Sequence, residues 1–461
     1  VNDIFKKVMG RDGTSFYYDI PSDIALYGML VLSSNNKAVE NITLELPNIS
    51  SVEEGTNGST LFHPDSSNQQ VDLSYFAKDK KYQFVKSNEV YFTFLADRLA
   101  ESNEQWGLIS ARLGKKSNIN TFMPVLDALS SDMSSIMRMP SAQDAFESAK
   151  KQFQAQHNLV KALFTYVTAY EENIHLIQEL KGKIDKLKEE VLVINEQLSK
   201  YDDLDDNLLK LIERKNSIES KLIELNSKRS IIDKIWSATN WSILEAMSNA
   251  ALLSVIEDET TKLQNVKGEL DALHQLVNER ESIINTKDGL LADIKGLDNT
   301  LQKIEETQQD ILGILKTDNK DTIHCFDDIA SKLMSPDEDR AEAHTAFLYM
   351  CNYLNECREH LLYDALQLQK AVVMSDAFRK NMQLLSQYWG SLNDRKNLQK
   401  NFDLDAIFPA LLNSLMIAVP VISSTFAAVE RFLINCKSES SLGTIIIDEA
   451  GQASPHMLVG A

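Results

Sequence analysis

Hydrophobic positions along the chain change period three times, and each change marks a different kind of structure. From residue 177 the apolar residues step by three and four. Ile177, Leu180, Ile184, Leu187, Val191, Ile194 and Leu198 form one seam with Lys and Glu on its flanks. The seam breaks at Tyr201 to Leu204 and resumes at Leu208, Leu211, Ile218, Leu222, Leu225 and Ile232, with Lys215 and Arg229 in seam positions. A three-residue phase slip at the break predicts a locally overwound helix. A second seam runs through Leu263, Val266, Leu270, Leu273, Val277 and Ile284. In a shifted register it continues through Leu290, Ile294, Leu297, Leu301, Ile304, Ile311 and Leu315. The arms 177–232 and 263–315 are nearly equal and flank an apolar segment with Trp236, Trp241, Leu244 and Met247. This predicts an antiparallel α-helical coiled coil over 171–320, with its tip near 233–261. At 1.5 Å per residue each arm would reach roughly 80 Å. Matched arms within one chain favour intrachain pairing over a parallel homodimer. An exposed apolar tip would suit a protein partner.

Outside the arm the periodicity is weaker. Met29 to Ser33 is a short apolar run that ends in a polar turn and a helix start. Residues 48–80 are rich in Ser, Asn, Gly and Asp and read as loop. Over 82–95, Tyr82, Phe84, Val85, Val90, Tyr91, Phe92 and Phe94 alternate, which predicts short strands or a hairpin. Residues 96–170 read as helical, with turns near Gly114 and Pro140. A further helical segment covers 321–400. The apolar stretch Ala406–Val421, interrupted by Asn413 and Pro420, reads as a buried helix followed by a strand. Last comes Thr444-Ile445-Ile446-Ile447-Asp448-Glu449-Ala450-Gly451-Gln452, a β-branched run feeding two adjacent carboxylates. It predicts a buried parallel strand with acids at its tip. The strand-bearing blocks 1–47 and 401–461 flank the helical excursion, so one α/β core with an inserted arm is expected, mostly helical overall.

Composition narrows the partners. The 461 residues carry 67 acidic against 47 basic side chains, a net charge of −20. That excludes a general nucleic-acid coating protein while leaving room for a localised groove. The four cysteines (Cys325, Cys351, Cys357 and Cys436) have no disulfide or metal spacing, which fits a reducing, cytoplasmic setting. No run reaches the roughly 18 apolar residues of a membrane span, and no secretory signal is present. His324, His344, His360 and His456 pair with no nucleophile in the pattern. Val1 in place of Met, and the stop soon after the acid pair, suggest an excised or incomplete stretch.

The paired acids carry the candidate chemistry. Mg²⁺ keeps most of its waters and takes one or two carboxylates, often with substrate phosphates. The string Asp448-Glu449-Ala450-Gly451-Gln452 after three isoleucines resembles motif II of the DEAGQ-box superfamily 1 DNA/RNA helicases. Gly28 to Ile42, with Ser33-Ser34-Asn35-Asn36 at the turn, is similar to motif Ia of that family. Ile417 to Ala427 is similar to the strand-and-turn motif that follows it. The three segments keep the family's order. The resemblance implies a RecA-like P-loop NTPase core that uses ATP and Mg²⁺. In it, Asp448 would hold the metal, Glu449 would polarise the attacking water and Gln452 would sense the terminal phosphate. It further implies that Ser33, Ser34, Asn35, Asn36, Ser424 and Thr425 grip the backbone of single-stranded DNA or RNA. Helix capping by Ser and Asn is the plain alternative.

Parts of such a motor are missing from the sequence. A P-loop requires Gly-x-x-x-x-Gly-Lys-Ser/Thr between a strand and a helix, and none occurs. Leu113-Gly114-Lys115-Lys116-Ser117 is the nearest approach and reads as a basic surface turn. The fragment alone is therefore expected to lack ATPase activity. Two alternatives stand beside the helicase reading: a coiled-coil DNA-repair or segregation ATPase of the structural-maintenance type, and a non-enzymatic coiled-coil scaffold.

Overall fold

A computed structural model describes residues 4–50, 89–315 except 103, 138 and 239–242, short pieces between 323 and 344, 351–437, and 442–453. The loop stretch and aromatics at 51–88, Trp241 at the arm's tip, and the side chains of Trp236, Leu244, Met247 and Gln452 lie outside the described residues. So do Cys325, His324 and His456. The chain is mostly helical with one small parallel sheet, and it divides into two compact units, residues 1–167 with 315–461, and Thr168–Ile314.

In the first unit, β1 (Lys6–Met9) and β2 (Phe16–Asp19) form an antiparallel pair. A short helix α1 (Ser22–Ala25) leads to β3 (Met29–Ser33) and α2 (Asn36–Glu45). There follow α3 (Thr93–Ala100), β4 (Ser110–Arg112), α4 (Lys116–Leu129), α5 (Met133–Ile136) and the start of α6 (Ala142–Leu198). After the excursion come α9 (Phe326–Leu333), α10 (Asn352–Val373), α11 (Asp376–Trp389), α12 (Leu392–Asn401) and α13 (Leu404–Ala418). The chain then returns to the sheet through β5 (Val421–Thr425), α14 (Phe426–Phe432) and β6 (Thr444–Ile447).

The sheet order is β4-β5-β3-β6, with every pairing parallel. Strand alternation puts Ser110 and Ser423 on the face covered by α2, since Ser110 Oγ donates to Thr43 O (3.2 Å) and Ser423 Oγ to Val39 O (3.2 Å). Leu30, Leu32, Ala111 and Ile422 belong to the main apolar core, which continues through α4, α11 and α13. Helix α13 is buried along most of its length, as its composition predicts.

Three expectations are corrected here. Val90 to Phe94 is not a hairpin: Tyr91 makes one isolated bridge to Gly107, and the helix α3 begins at Thr93. All five residues are buried, so the aromatic run reflects burial on every side rather than a pleat. Thr93 Oγ1 fixes the turn, accepting from Val90 N–H (3.2 Å) and donating to Trp106 O (2.9 Å). The span 96–170 also contains β4, whose Ser-Ala-Arg sequence is too short to show a period. Finally, among the described residues β6 is an edge strand paired only with β3, and Ile445 and Ile446 are 43% and 44% exposed. The two isoleucines point to opposite faces, and neither face is covered there among the described residues.

The second unit is a helical hairpin. The end of α6 passes through a 3₁₀ turn (Ser199–Tyr201) into α7 (Leu204–Ala238), and α8 (Ile243–Ile314) runs back. The tighter turn falls at the phase slip in the seam. Cross-helix ion pairs fix an antiparallel register: Lys181–Glu305 (3.0 Å), Arg280–Asp205 (2.8 Å) and Lys221–Glu259 (2.7 Å). Ile218, Leu222, Ile256 and Val266 form an apolar cluster between the helices.

Candidate functional site at the carboxyl edge of the sheet

Because all four strands are parallel, their carboxyl ends lie along one edge, the edge at which open α/β sheets bind ligands. Ser33 pairs with Thr425, and Leu32 pairs with both Ser424 and Ile447. The ladder extends one residue past β6, where Asp448 N–H donates to Leu32 O at 2.9 Å. Residues 33–36, 425 and 448–449 thus meet at one edge although nearly the whole chain separates them. Glu449 adopts φ 51° and ψ 43°, a left-handed conformation rare for a residue with a side chain, and then enters a 3₁₀ turn (Ala450–Gln452). Strain of this kind, about 1–3 kcal/mol, collects at functional turns. Asp448 is half-buried and Glu449 exposed.

The Ser-Asn turn is built by capping. Ser33 is fully buried, and its Oγ accepts from Asn35 N–H at 3.2 Å. Asn35 Oδ1 accepts from Lys37 N–H at 2.9 Å and so caps α2. Ser34, Asn35 and Asn36 face solvent. On β5, Ser423 Oγ lies 3.0 Å from Thr43 Oγ1, Ser424 is fully buried with no hydrogen-bond partner for its Oγ, and Thr425 is half-buried. Two of the residues expected to grip a strand therefore present no side chain to one. Ser33 is turned into its own cap, and Ser424 lies beneath the turn at Gly114. The exposed Ser34, Asn35 and Asn36, with the half-buried Thr425, remain at the edge.

A further component appears where sequence reading placed only a surface turn. Leu113-Gly114-Lys115-Lys116 links β4 to α4 at this same edge, with Leu113 N–H donating to Ser423 O (2.9 Å). Gly114 has φ +93°, and a Cβ there would collide with Ser424 Oγ. The Gly-Lys pair after a short strand was the available signal, but β4 itself was not legible. Lys115 and Lys116 of this turn are exposed. Beside the turn, Arg112 and Glu40 form a 3.6 Å ion pair in the wall of a cavity of about 330 Å³, with Asn118, Thr121 and Glu101.

The approach to β6 is anchored by polar contacts. Asn435 Oδ1 accepts from Tyr388 OH (2.6 Å) and from Arg395 (3.2 Å), and Asn435 Nδ2 donates to Asp405 Oδ1 (2.5 Å). The hydrogen bond from Lys437 (2.6 Å), together with that from Asn435, holds the Asp405 carboxyl below its ordinary range. Burial pushes the Tyr388 hydroxyl up to about 12 and the Cys436 thiol up to about 12.

Among the described residues no three His, Cys, Asp or Glu side chains converge to hold a metal ion. Mg²⁺ bound with a nucleotide does not need such a cluster, since one or two carboxylates suffice. The adjacent Asp448 and Glu449 fit that requirement. No described helix is long and apolar enough to cross a membrane. No family model, no curated protein and no solved structure matches the chain.

Proposed function

We propose that this chain carries part of the first motor lobe of an ATP-dependent superfamily 1 helicase or translocase, with RecA-like strands interrupted by a helical arm. One observation supports this above all. The strand ending in Ser33 and the strand leading into Asp448-Glu449 are hydrogen-bonded neighbours in parallel register, with both polar tips on the carboxyl edge. A strand-tip acid pair and a capped Ser-Asn turn could each arise alone. Side by side they would set a metal-holding group next to small polar side chains exposed at a helix start, as nucleotide-driven movement along a phosphate backbone requires.

Bound ATP and Mg²⁺ supply the phosphoryl-transfer chemistry. Asp448 would hold the ion. Glu449, whose backbone is left-handed, would orient and polarise a water, and Gln452 would sense the terminal phosphate. Ser34, Asn35, Asn36 and Thr425 contact the backbone of single-stranded DNA or RNA without reading bases. The sequence contains no phosphate-cradling loop, so the isolated chain binds strand without turning over ATP.

The test is fluorescence anisotropy with labelled mixed-sequence single-stranded oligonucleotides, DNA and RNA. Binding should weaken steeply between about 50 and 200 mM salt, as phosphate contacts do. In Ser34→Asp/Asn36→Asp the added charges should weaken it by about threefold or more at low salt. Equal binding by wild type and variant, or none at low salt, would rule the reading out.

A further inference from the structure

The cavity of about 330 Å³ beside the last residue of β4 is bounded by α2 and α4, and its chemistry needs neither the acid pair nor a metal. Strand alternation sets its main donor. Ser110 Oγ bonds to Thr43 O on α2, so Arg112, two residues further on, lies on the same face of the sheet. Glu40 sits one turn before Thr43 on α2. Leu44, Leu99 and Phe122 supply apolar wall.

The two charged groups are reachable and incompletely used. The Arg112 side chain is 34% exposed and donates no hydrogen bond among the described residues. Its ion-pair partner Glu40 stands at 3.6 Å, beyond hydrogen-bond range, and Lys37 approaches the other Glu40 oxygen no closer than 3.6 Å. A guanidinium donor beside a carboxylate acceptor matches a planar ring that carries C=O next to N–H. Glu101, which is exposed, also lines the cavity, so two carboxylates stand against one guanidinium and an anionic ligand is disfavoured. The volume lies near the lower end of ligand pockets, roughly 300–1,000 Å³, and suits one ring system rather than a whole nucleotide.

The nucleic-acid bases separate on this pair. Adenine and cytosine reverse it, with an amino donor where Arg112 donates and a bare ring nitrogen where Glu40 accepts. Uracil and thymine have C=O beside N–H, but their second carbonyl would face the other carboxylate oxygen. Guanine has an amino group there, so both Glu40 oxygens can accept, from N1–H and N2–H, while Arg112 donates to O6 and N7. We propose that this cavity binds a guanine base, held by Glu40 at its Watson–Crick edge and by Arg112 at O6 and N7, with Leu44, Leu99 and Phe122 beside the ring.

Saturation-transfer NMR titrations of the full chain with guanosine, inosine, uridine and adenosine test it. Guanosine should saturate and bind about tenfold more tightly than inosine, which lacks only the amino group that meets Glu40. Uridine and adenosine should not saturate in the same range. Glu40→Gln should weaken guanosine by about tenfold and erase its lead over inosine, and Arg112→Met should weaken both. No saturable guanosine signal at millimolar concentration, equal affinity for guanosine and inosine, or unchanged guanosine binding in Glu40→Gln would each overturn the proposal. The nucleoside comparison on the wild type decides the matter whether or not the variants fold. A second pair of probes identifies the source of the base: oligothymidylate with one central guanine, and the same strand with hypoxanthine in its place. Tighter binding of the guanine strand shows a strand-borne base, and a preference confined to nucleosides shows a free one. Absence of strand binding altogether counts against the motor reading and leaves the nucleoside result standing.

Discussion

Gly114→Ala should loosen the carboxyl edge by a predictable amount. Gly114 sits at φ +93°, where a residue with a Cβ pays about 1–2 kcal/mol in local strain. The new methyl would also overlap Ser424 Oγ, while Ser424 Cβ at 3.2 Å and Ala428 Cβ at 3.4 Å leave it little room to retreat. Ser424 is fully buried, so the overlap behaves as core overpacking, about 1–3 kcal/mol. Together these destabilise the first unit by about 2–5 kcal/mol, a large share of a typical domain's 5–15 kcal/mol. The two parts separate in a double-mutant cycle. Ser424→Ala deletes the colliding oxygen, and because that hydroxyl has no partner, its loss alone is close to neutral or stabilising. The double variant should then keep only the backbone strain and recover about 1–3 kcal/mol. The assay is urea unfolding followed by tryptophan fluorescence in a Trp236→Phe/Trp241→Phe background, so that Trp106 and Trp389 report on the first unit alone. A Gly114→Ala variant within about 0.5 kcal/mol of its parent, or a double variant no better than the single, would show that the turn is not held against β5 as described.

Two other outcomes follow from the structure. Raised folded-state pKa values at Cys436 and Tyr388 mean that the unfolded chain gives up these protons first. Stability is therefore intact below the ordinary thiol value of 9.0 and is lost as pH rises from there toward about 12. Melting temperature should fall over that window and fall less in Cys436→Ser, and a flat or rising profile would contradict the sign. Cysteines placed at Lys181 and Glu305 should be joined by a short bismaleimide within one chain, since the native side chains meet at 3.0 Å across the hairpin. Bridged dimers as the main product on a denaturing gel would favour pairing between chains instead.

Parts of this molecule were legible in the sequence for identifiable reasons. The cores of β3, β5 and β6 are short β-branched or apolar runs ending in polar turns, which is how strands of a parallel sheet read. The arm was legible because its seam repeats over many turns, and even the local fault at Ser199–Tyr201 left a trace as a phase slip. The observed unit, Thr168–Ile314, lies close to the span 171–320 taken from the seam. What stayed hidden depends on contacts between distant residues. Nothing near Ser424 in sequence reveals that Gly114 will lie over it, or that Thr43 and Val39 will engage Ser423. The capping of α2 by Asn35 was foreseen as an alternative, and it coexists with an exposed edge. The exposure of Ile445 and Ile446 was not legible, because an edge strand and a central one differ only in what lies beside them.

The position of the acid pair follows from how few restraints β6 has among the described residues. One ladder joins it to the sheet, and its side chains bury little, so apolar packing contributes less there than at β3 or β5. Its register is set instead by hydrogen bonds to β3, ending at Asp448 N–H on Leu32 O, and its approach by the anchor at Asn435 and Lys437. The Lys437–Asp405 ion pair is largely exposed and screened by solvent, so the half-buried bonds among Tyr388, Arg395 and Asn435 dominate that anchor. β3, by contrast, is held on both sides and on both faces. The Ser-Asn turn is thus the fixed half of the edge and the acid tip the adjustable half. Movement of β6 away from β3 would change the separation of the two tips while leaving the turn in place.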